Sequence, residues 1–478
     1  MAAVVSIIKT DRVLPKKSLL PPKIITLSNL DRQCPTHMYL ILFYKQPAAA
    51  ADHHHLQRAD LQDSVYGGLK SGLEETLEAW YPAAGRLCVD PEDGNRLNLW
   101  CNNEGGVLVE AVTEVKISEL GDDLSQYDEF LEKLVYKPVF DVDCLSQMPL
   151  LVAQVTRFGC GGYSIGIGTS HSLFDGPSTF RFLSAWASAA AAASPPSSTQ
   201  PMSSGSSIVD HDRRSLTSLG CVDYNGEKRT KAADAAAIDH LYRLIHQQQA
   251  AAAAAKGDDD DDDDQKNGGS LVLKTYHLGS AMIDKLRRNN VFGGISSFEI
   301  VAAHLWKART KALLGPNNKT TMVCLQFAVD IRNKLTPPLP AGFTGNAFVL
   351  ASVATTAGEL QQSTHQSVVD RIRLAKASIT PAYVESYMAA LDRQHGNSSL
   401  PPLRELTLVS DWTRMPFHKL RFLGGDRDVD CACPLLTPVP QVAYFMQSPV
   451  DAKGIDVRIG VPAGDVEAFT ADFMAAMV

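Results

Sequence analysis

Two low-complexity tracts limit what this chain can fold into. Residues 184–207 are rich in Ala, Ser and Pro around Pro195-Pro196; residues 250–269 hold a poly-alanine run, seven consecutive aspartates (Asp258 to Asp264) and Gly268-Gly269. Neither composition buries enough apolar surface to offset the entropy of ordering, so both are expected outside the packed cores. A chain of 478 residues also exceeds what one core normally organises. The expected organisation is a first domain over 1–183, a flexible crossover over 184–230 and a second domain over 231–478 with a disordered insertion at 250–269.

Local patterns on either side of the tracts alternate between the two basic periods. A helix is expected near 60–80, and an alternating strand over Tyr163 to Thr169. Beyond the second tract, Ser270 to His277 reads as a strand. Ser296-Ser-Phe-Glu299 is a capping box opening an apolar helix through Ile300, Val301, Leu305 and Trp306. Strands follow at 322–329 and 347–353, helices at 367–377 and 382–391, strands at 442–446 and 455–461, and a closing helix at 464–477. Helical spacing also recurs over Lys231 to Gln249. The alternation predicts two α/β domains with mixed sheets.

Charge and cysteine usage exclude several classes of function. The net charge is −8, but the aspartate run supplies seven of those charges, so the rest is nearly neutral and offers no basic surface for nucleic acid. A like-charged block of that kind is a solvated loop rather than a cation site. Nine cysteines are dispersed without a C-x-x-C pair, which argues for reduced thiols in a cytoplasmic setting; Cys431 and Cys433 read as loop residues. The N-terminus lacks the basic region and cleavage site of a signal peptide, and no apolar run is long enough to span a bilayer. His53-His-His55 has no cysteine or carboxylate partner at ligand spacing, so no metal is expected.

The residues best suited to chemistry follow the 163–169 strand. His171-Ser-Leu-Phe-Asp175-Gly176-Pro177 places an imidazole at a strand end, where Gly176-Pro177 punctuates the chain. Neutral imidazole is a general base near physiological pH. No G-x-S-x-G elbow is present to supply a serine nucleophile.

Several motifs in fixed order resemble those of the plant BAHD acyltransferases almost end to end. They are Tyr81 to Leu87, His171-x-x-x-Asp175-Gly176, Ser296 to Trp306, Asp330-Ile-Arg332, Pro337-Pro-Leu-Pro340, Gly345-Asn346 and Ser410-Asp-Trp412. The resemblance implies a two-domain chloramphenicol-acetyltransferase-like α/β fold with mixed sheets and a channel between domains. It implies transfer from an acyl-CoA co-substrate to a hydroxyl, without bound cofactor or metal and without an acyl-enzyme. His171 would be the base, Asp175, Gly176 and Arg332 would support the site through an Asp175–Arg332 ion pair, and Ser410 and Trp412 would line the substrate. The oxyanion donor stays open between a backbone N–H near Gly176 and the Ser410 hydroxyl, and His418 reads as structural. A monomer with a small-molecule acceptor and no membrane span is expected.

Leu27 to Pro35 and Ser410 to Arg414 further resemble the subgroup implicated in acylating brassinosteroids. The alternatives are a hydroxycinnamoyl transferase acting on a phenolic or polyamine, and a non-catalytic binding protein. The last is motivated by one departure: where the family carries Asp-Phe-Gly-Trp-Gly, this chain has Arg421, Phe422, Leu423, Gly424 and Gly425.

Overall fold

The computed structural model describes residues 4–33, 36–46, 56–89, 96–121, 123–126, 129–138, 145–193, 209–218, 271–288, 294–392, 404–423, 429–435 and 442–475. The chain divides into two compact units, the first comprising residues 1–217, 340–346 and 415–437, the second 218–339, 347–414 and 438–478.

The first unit is built on a six-stranded mixed sheet in the order Ser6–Val13, Gly106–Val112, Leu151–Arg157, Tyr163–Ser170, His37–Tyr44 and Cys431–Pro434. Only the Gly106–Val112 and Leu151–Arg157 pair is parallel. The expected strand ending at His171 is present and buried throughout. Its glycines explain that burial. A Cβ on Gly166 would lie 2.2 Å from the Leu134 carbonyl, and one on Gly168 would lie 2.6 Å from the Tyr39 ring. Bare backbone at these positions lets neighbours close over the strand.

Two long helices, Leu56–Ala79 and Gly176–Ala193, pack together in this unit. A Cβ on Gly72 would meet the Ala190 amide nitrogen at 2.4 Å, so the backbones approach as closely as small residues permit. The Trp186 indole N–H donates to the Leu69 carbonyl at 2.8 Å. The expected flexible crossover therefore begins too early. Residues 184–193 continue the helix with Trp186, Ala187 and Ala190 buried, because alanine both favours helix and fits against Gly72.

The expected contiguous second domain is also corrected, since residues 340–346 and 415–437 belong to the first unit. Cys431 and Cys433 are not loop residues: they lie in a buried strand paired with Phe43 and Ile41. That strand exists through its partner, not through local propensity.

The second unit carries its own six-stranded mixed sheet, ordered Phe348–Thr356, Met322–Asp330, Leu406–Trp412, Val442–Gln447, Ile455–Pro462 and Leu271–Leu278. Its helix Ser297–Leu314 opens on the expected capping box. That helix packs on Val466–Ala475 and His365–Ala377, with Trp306 fully buried. The helical spacing at 231–249 and the aspartate run lie outside the described residues.

Candidate active site

His171 arrives at a strand-to-helix turn whose backbone is held on both sides. Its amide donates to the Thr36 carbonyl at 2.7 Å, and the Ser170 carbonyl accepts from Leu173 and Phe174. The buried rings of Phe174, Phe182 and Trp80 pack on one another beneath the turn. Asp175 then caps the helix. Its Oδ1 accepts the Ser178 amide at 3.0 Å, and its carbonyl accepts the Thr179 amide at 2.8 Å, the contacts expected of an N-cap carboxylate. Gly176 is the first helical residue, and Pro177 has no N–H to leave unpaired there.

The imidazole has a defined partner within the same unit. His171 Nδ1 lies 3.0 Å from Asn346 Oδ1. The Asn346 amide nitrogen donates to the His171 carbonyl at 2.7 Å and to Asp31 Oδ1 at 3.0 Å. Both amide protons are therefore committed, so the oxygen facing Nδ1 accepts and Nδ1 carries the proton. A flipped amide would set its oxygen against the Asp31 carboxylate. In the neutral ring, Nε2 consequently carries no proton and is the basic nitrogen.

Burial lowers the His171 pKa below its ordinary value, while the Asp175 charge, the Asn346 hydrogen bond and the Asp31 charge pull it back up. The arrangement can accept a proton at Nε2 and hold the resulting imidazolium at Nδ1.

Two further histidines of this unit are neutral structural groups. His211 Nε2 bonds the Ala79 carbonyl at 2.9 Å and His37 Nε2 bonds the Pro149 carbonyl at 2.8 Å. Burial depresses both to about 4.

The motif carrying Gly345-Asn346 was legible, but the role of Asn346 was not, because its bonds to His171 and Asp31 span 175 and 315 residues. The other sequence candidates are placed as follows. In the second unit, Arg332 follows a strand end, where its Nη1 pairs with Asp330 at 3.1 Å. Ser410 and Trp412 share one strand. The buried Trp412 donates its indole N–H to Ser410 Oγ at 3.0 Å and stands edge-on to Tyr444.

In the first unit the altered family element keeps one anchor. Phe422 is buried, with its ring centroid 4.9 Å from that of Trp186. Arg421 and Leu423 flank it, while Gly424, Gly425 and His53 to His55 lie outside the described residues. His418 supplies its carbonyl to the Val429 amide at 3.0 Å. Among the described residues no group of three or more His, Cys, Asp or Glu side chains converges as metal ligands, and no helix is long and apolar enough to cross a membrane.

Comparisons with known proteins place the chain in a family and a fold. The Transferase family profile matches residues 3–476. The chain is 49% identical over 480 residues to "Brassinosteroid-related acyltransferase 1" of Arabidopsis thaliana, covering 99% of both sequences. Among solved structures, vinorine synthase superposes with a TM-score of 0.70 at 19% identity, covering 99% of this chain and 98% of that one. F. graminearum TRI101, complexed with coenzyme A and T-2 mycotoxin, gives 0.65 at 14% identity over 93% and 96%. The fold is thus the two-domain chloramphenicol-acetyltransferase-like one, and the chain belongs to the Transferase family of plant BAHD acyltransferases.

Proposed function

We propose that this acyltransferase uses an acyl-CoA thioester to esterify a hydroxyl of a sizeable, largely apolar plant metabolite, with a brassinosteroid the favoured acceptor and hormone homeostasis its setting. The observation that carries the reading is the state of His171: a neutral imidazole at a strand end, with Nδ1 bonded to Asn346 and Nε2 left basic. The name of the relative at 49% identity supports the acceptor class. The coenzyme A complex of the structural neighbour supports the donor, and the dispersed cysteines support a reducing cytoplasmic setting.

In this reading the acceptor hydroxyl gives its proton to His171 Nε2 as its oxygen attacks the thioester carbonyl. The tetrahedral intermediate collapses with cleavage of the carbon–sulfur bond, and the departing thiolate takes the proton from the imidazolium. Ester and free coenzyme A result, and His171 returns neutral. General-base assistance of this kind is worth roughly 10²–10⁴ in rate. Ser410 and Trp412 are proposed to contact substrate, and Asp175 to pair with Arg332 in support of the site.

The test incubates purified protein with aliphatic and aromatic acyl-CoAs against brassinosteroid, phenolic and polyamine acceptors, reading products by mass. A brassinosteroid ester is the expected product. Hydroxycinnamoyl transfer to a phenolic or polyamine alone would replace the proposed acceptor. Binding without transfer from any donor would favour a non-catalytic protein, the reading that the altered 421–425 element raises.

A further inference from the structure

Behind Asn346 lies a carboxylate that takes no part in the proton transfer just described. Asp31 is fully buried, and five donors converge on it. Oδ1 accepts the Asn346 backbone amide at 2.9 Å and its side-chain amide at 3.0 Å. Oδ2 accepts the Ser28 amide at 3.1 Å, the Ser28 hydroxyl at 2.7 Å and Arg213 Nε at 3.2 Å. The one-turn helix Asn29–Arg32 that holds Asp31 needs only the Ser28 contacts for its capping box. The rest serve residues distant in sequence.

Arg213, itself buried, is gripped by the chain that carries Asn346. Its guanidinium lies 5.0 Å from the Phe343 ring centroid, and Nη1 donates to the His211 carbonyl at 3.0 Å. A Cβ on Gly345 would sit 2.4 Å from Arg213 Nε, so glycine is needed for residues 343–346 to close over the guanidinium.

We propose that Asp31 is a positioning residue for acyl transfer, holding the Asn346 amide with its oxygen toward His171 and so keeping Nε2 of His171 unprotonated. The proposal rests on the reading of His171 as the base. An ionised carboxylate accepts and never donates, so it discriminates between the two amide orientations by charge. A neutral group at position 31 would let Asn346 turn its NH₂ toward Nδ1, selecting the tautomer whose Nε2 is already protonated and cannot act as base. Arg213 balances the buried charge.

The experiment uses the full chain with ¹⁵N-labelled imidazoles, His171 being assigned by the signal missing from His171→Gln. Three variants are compared with wild type. They are Asp31→Asn, Asp31→Asn/Arg213→Gln, which removes both charges so that neither is stranded, and Asn346→Ala, which leaves the ion pair in place.

Wild type is expected to show the Nδ1–H tautomer, and each folded variant a shift toward Nε2–H. In the charge-free double variant, kcat should fall by about tenfold to a hundredfold, as misplaced catalytic groups do, with KM within about threefold. The acidic limb of kcat/KM should move to lower pH, because of the two carboxylates acting on His171, Asp175 and Asp31, only Asp175 remains.

A folded double variant that keeps both the Nδ1–H signature and the wild-type limb would reduce Asp31 to a structural role. So would an unchanged tautomer in Asn346→Ala, which decides the matter if the Asp31 variants fail to fold. If wild type transfers no acyl group to any acceptor, the reading of His171 as base falls, while the tautomer comparison still reports on Asp31.

Discussion

Substituting Asp175 separates three roles that one carboxylate could play beside His171. As a helix cap it accepts the Ser178 amide, and both residues are buried, Asp175 at 3% and Ser178 at 0% exposure. Asp175→Ala removes the cap, at about 1 kcal/mol, and leaves the Ser178 N–H without its acceptor, at about 1–3 kcal/mol; the two overlap, giving a loss of about 2–3 kcal/mol. Asp175→Asn keeps an oxygen for that amide, so its cap is retained. It loses the favourable interaction of a negative charge with the helix N-terminus, worth about 0.3–1 kcal/mol.

If the proposed pairing with Arg332 holds, Asp175→Asn also takes one carboxylate from that cation and leaves it Asp330. Such losses reach about 3–5 kcal/mol when burial is deep. Adding Arg332→Gln should then recover much of the loss, as coupled neighbours do. Because Nδ1 of His171 is already bonded to Asn346, Asp175→Asn should keep kcat within about tenfold of wild type, beyond any loss of folded protein. The assay is urea unfolding of the single and double variants together with steady-state kinetics. Equal stability of Asp175→Ala and Asp175→Asn would refute the cap. A fall in kcat of about 10⁴ with unchanged stability, as in triads whose carboxylate is neutralised, would refute the whole assignment and make Asp175 a relay.

His171→Ala should lower kcat by about 10²–10⁴ with little change in thermal stability, since His171 is a half-buried residue at a strand end; a residual activity above about a tenth of wild type would contradict the general-base role. His211 is buried and held at about 4, whereas an unfolded histidine titrates near 6.5. As pH falls below about 6.5 the unfolded chain takes up a proton that the folded one refuses, so stability is complete above that value and declines toward pH 4. At pH 5 the loss is about 2 kcal/mol, and the pH 7 to pH 5 decline in urea unfolding should shrink by that amount in His211→Gln. Gly72→Val should destabilise the first unit by about 1–3 kcal/mol, because its Cβ would meet Ala190 backbone at 2.4 Å; an unchanged melting temperature would show that the helix pair can part.

Local chemistry alone determined much of this chain. The capping box at Ser296 to Glu299 closes over three residues, and the strand entering His171 declares itself through its own alternation, so both were legible without neighbours. The motifs pointing to the family were likewise contiguous. Tertiary structure decided what depends on partners far away in sequence. Cys431 and Cys433 form a strand only because the edge of His37–Tyr44 offers them a ladder. Residues 184–193 resemble the low-complexity tract that follows, yet they are helical because Gly72 makes room for Ala190.

The same holds for the site. His171 and Asp175 could be picked out by their spacing, but the spacing did not say what each side chain would bond. The fold gives the imidazole Nδ1 to Asn346 and uses Asp175 Oδ1 to cap a helix. A hydrogen bond between side chains 175 residues apart leaves no periodic trace, because geometry and not sequence distance satisfies a buried polar group.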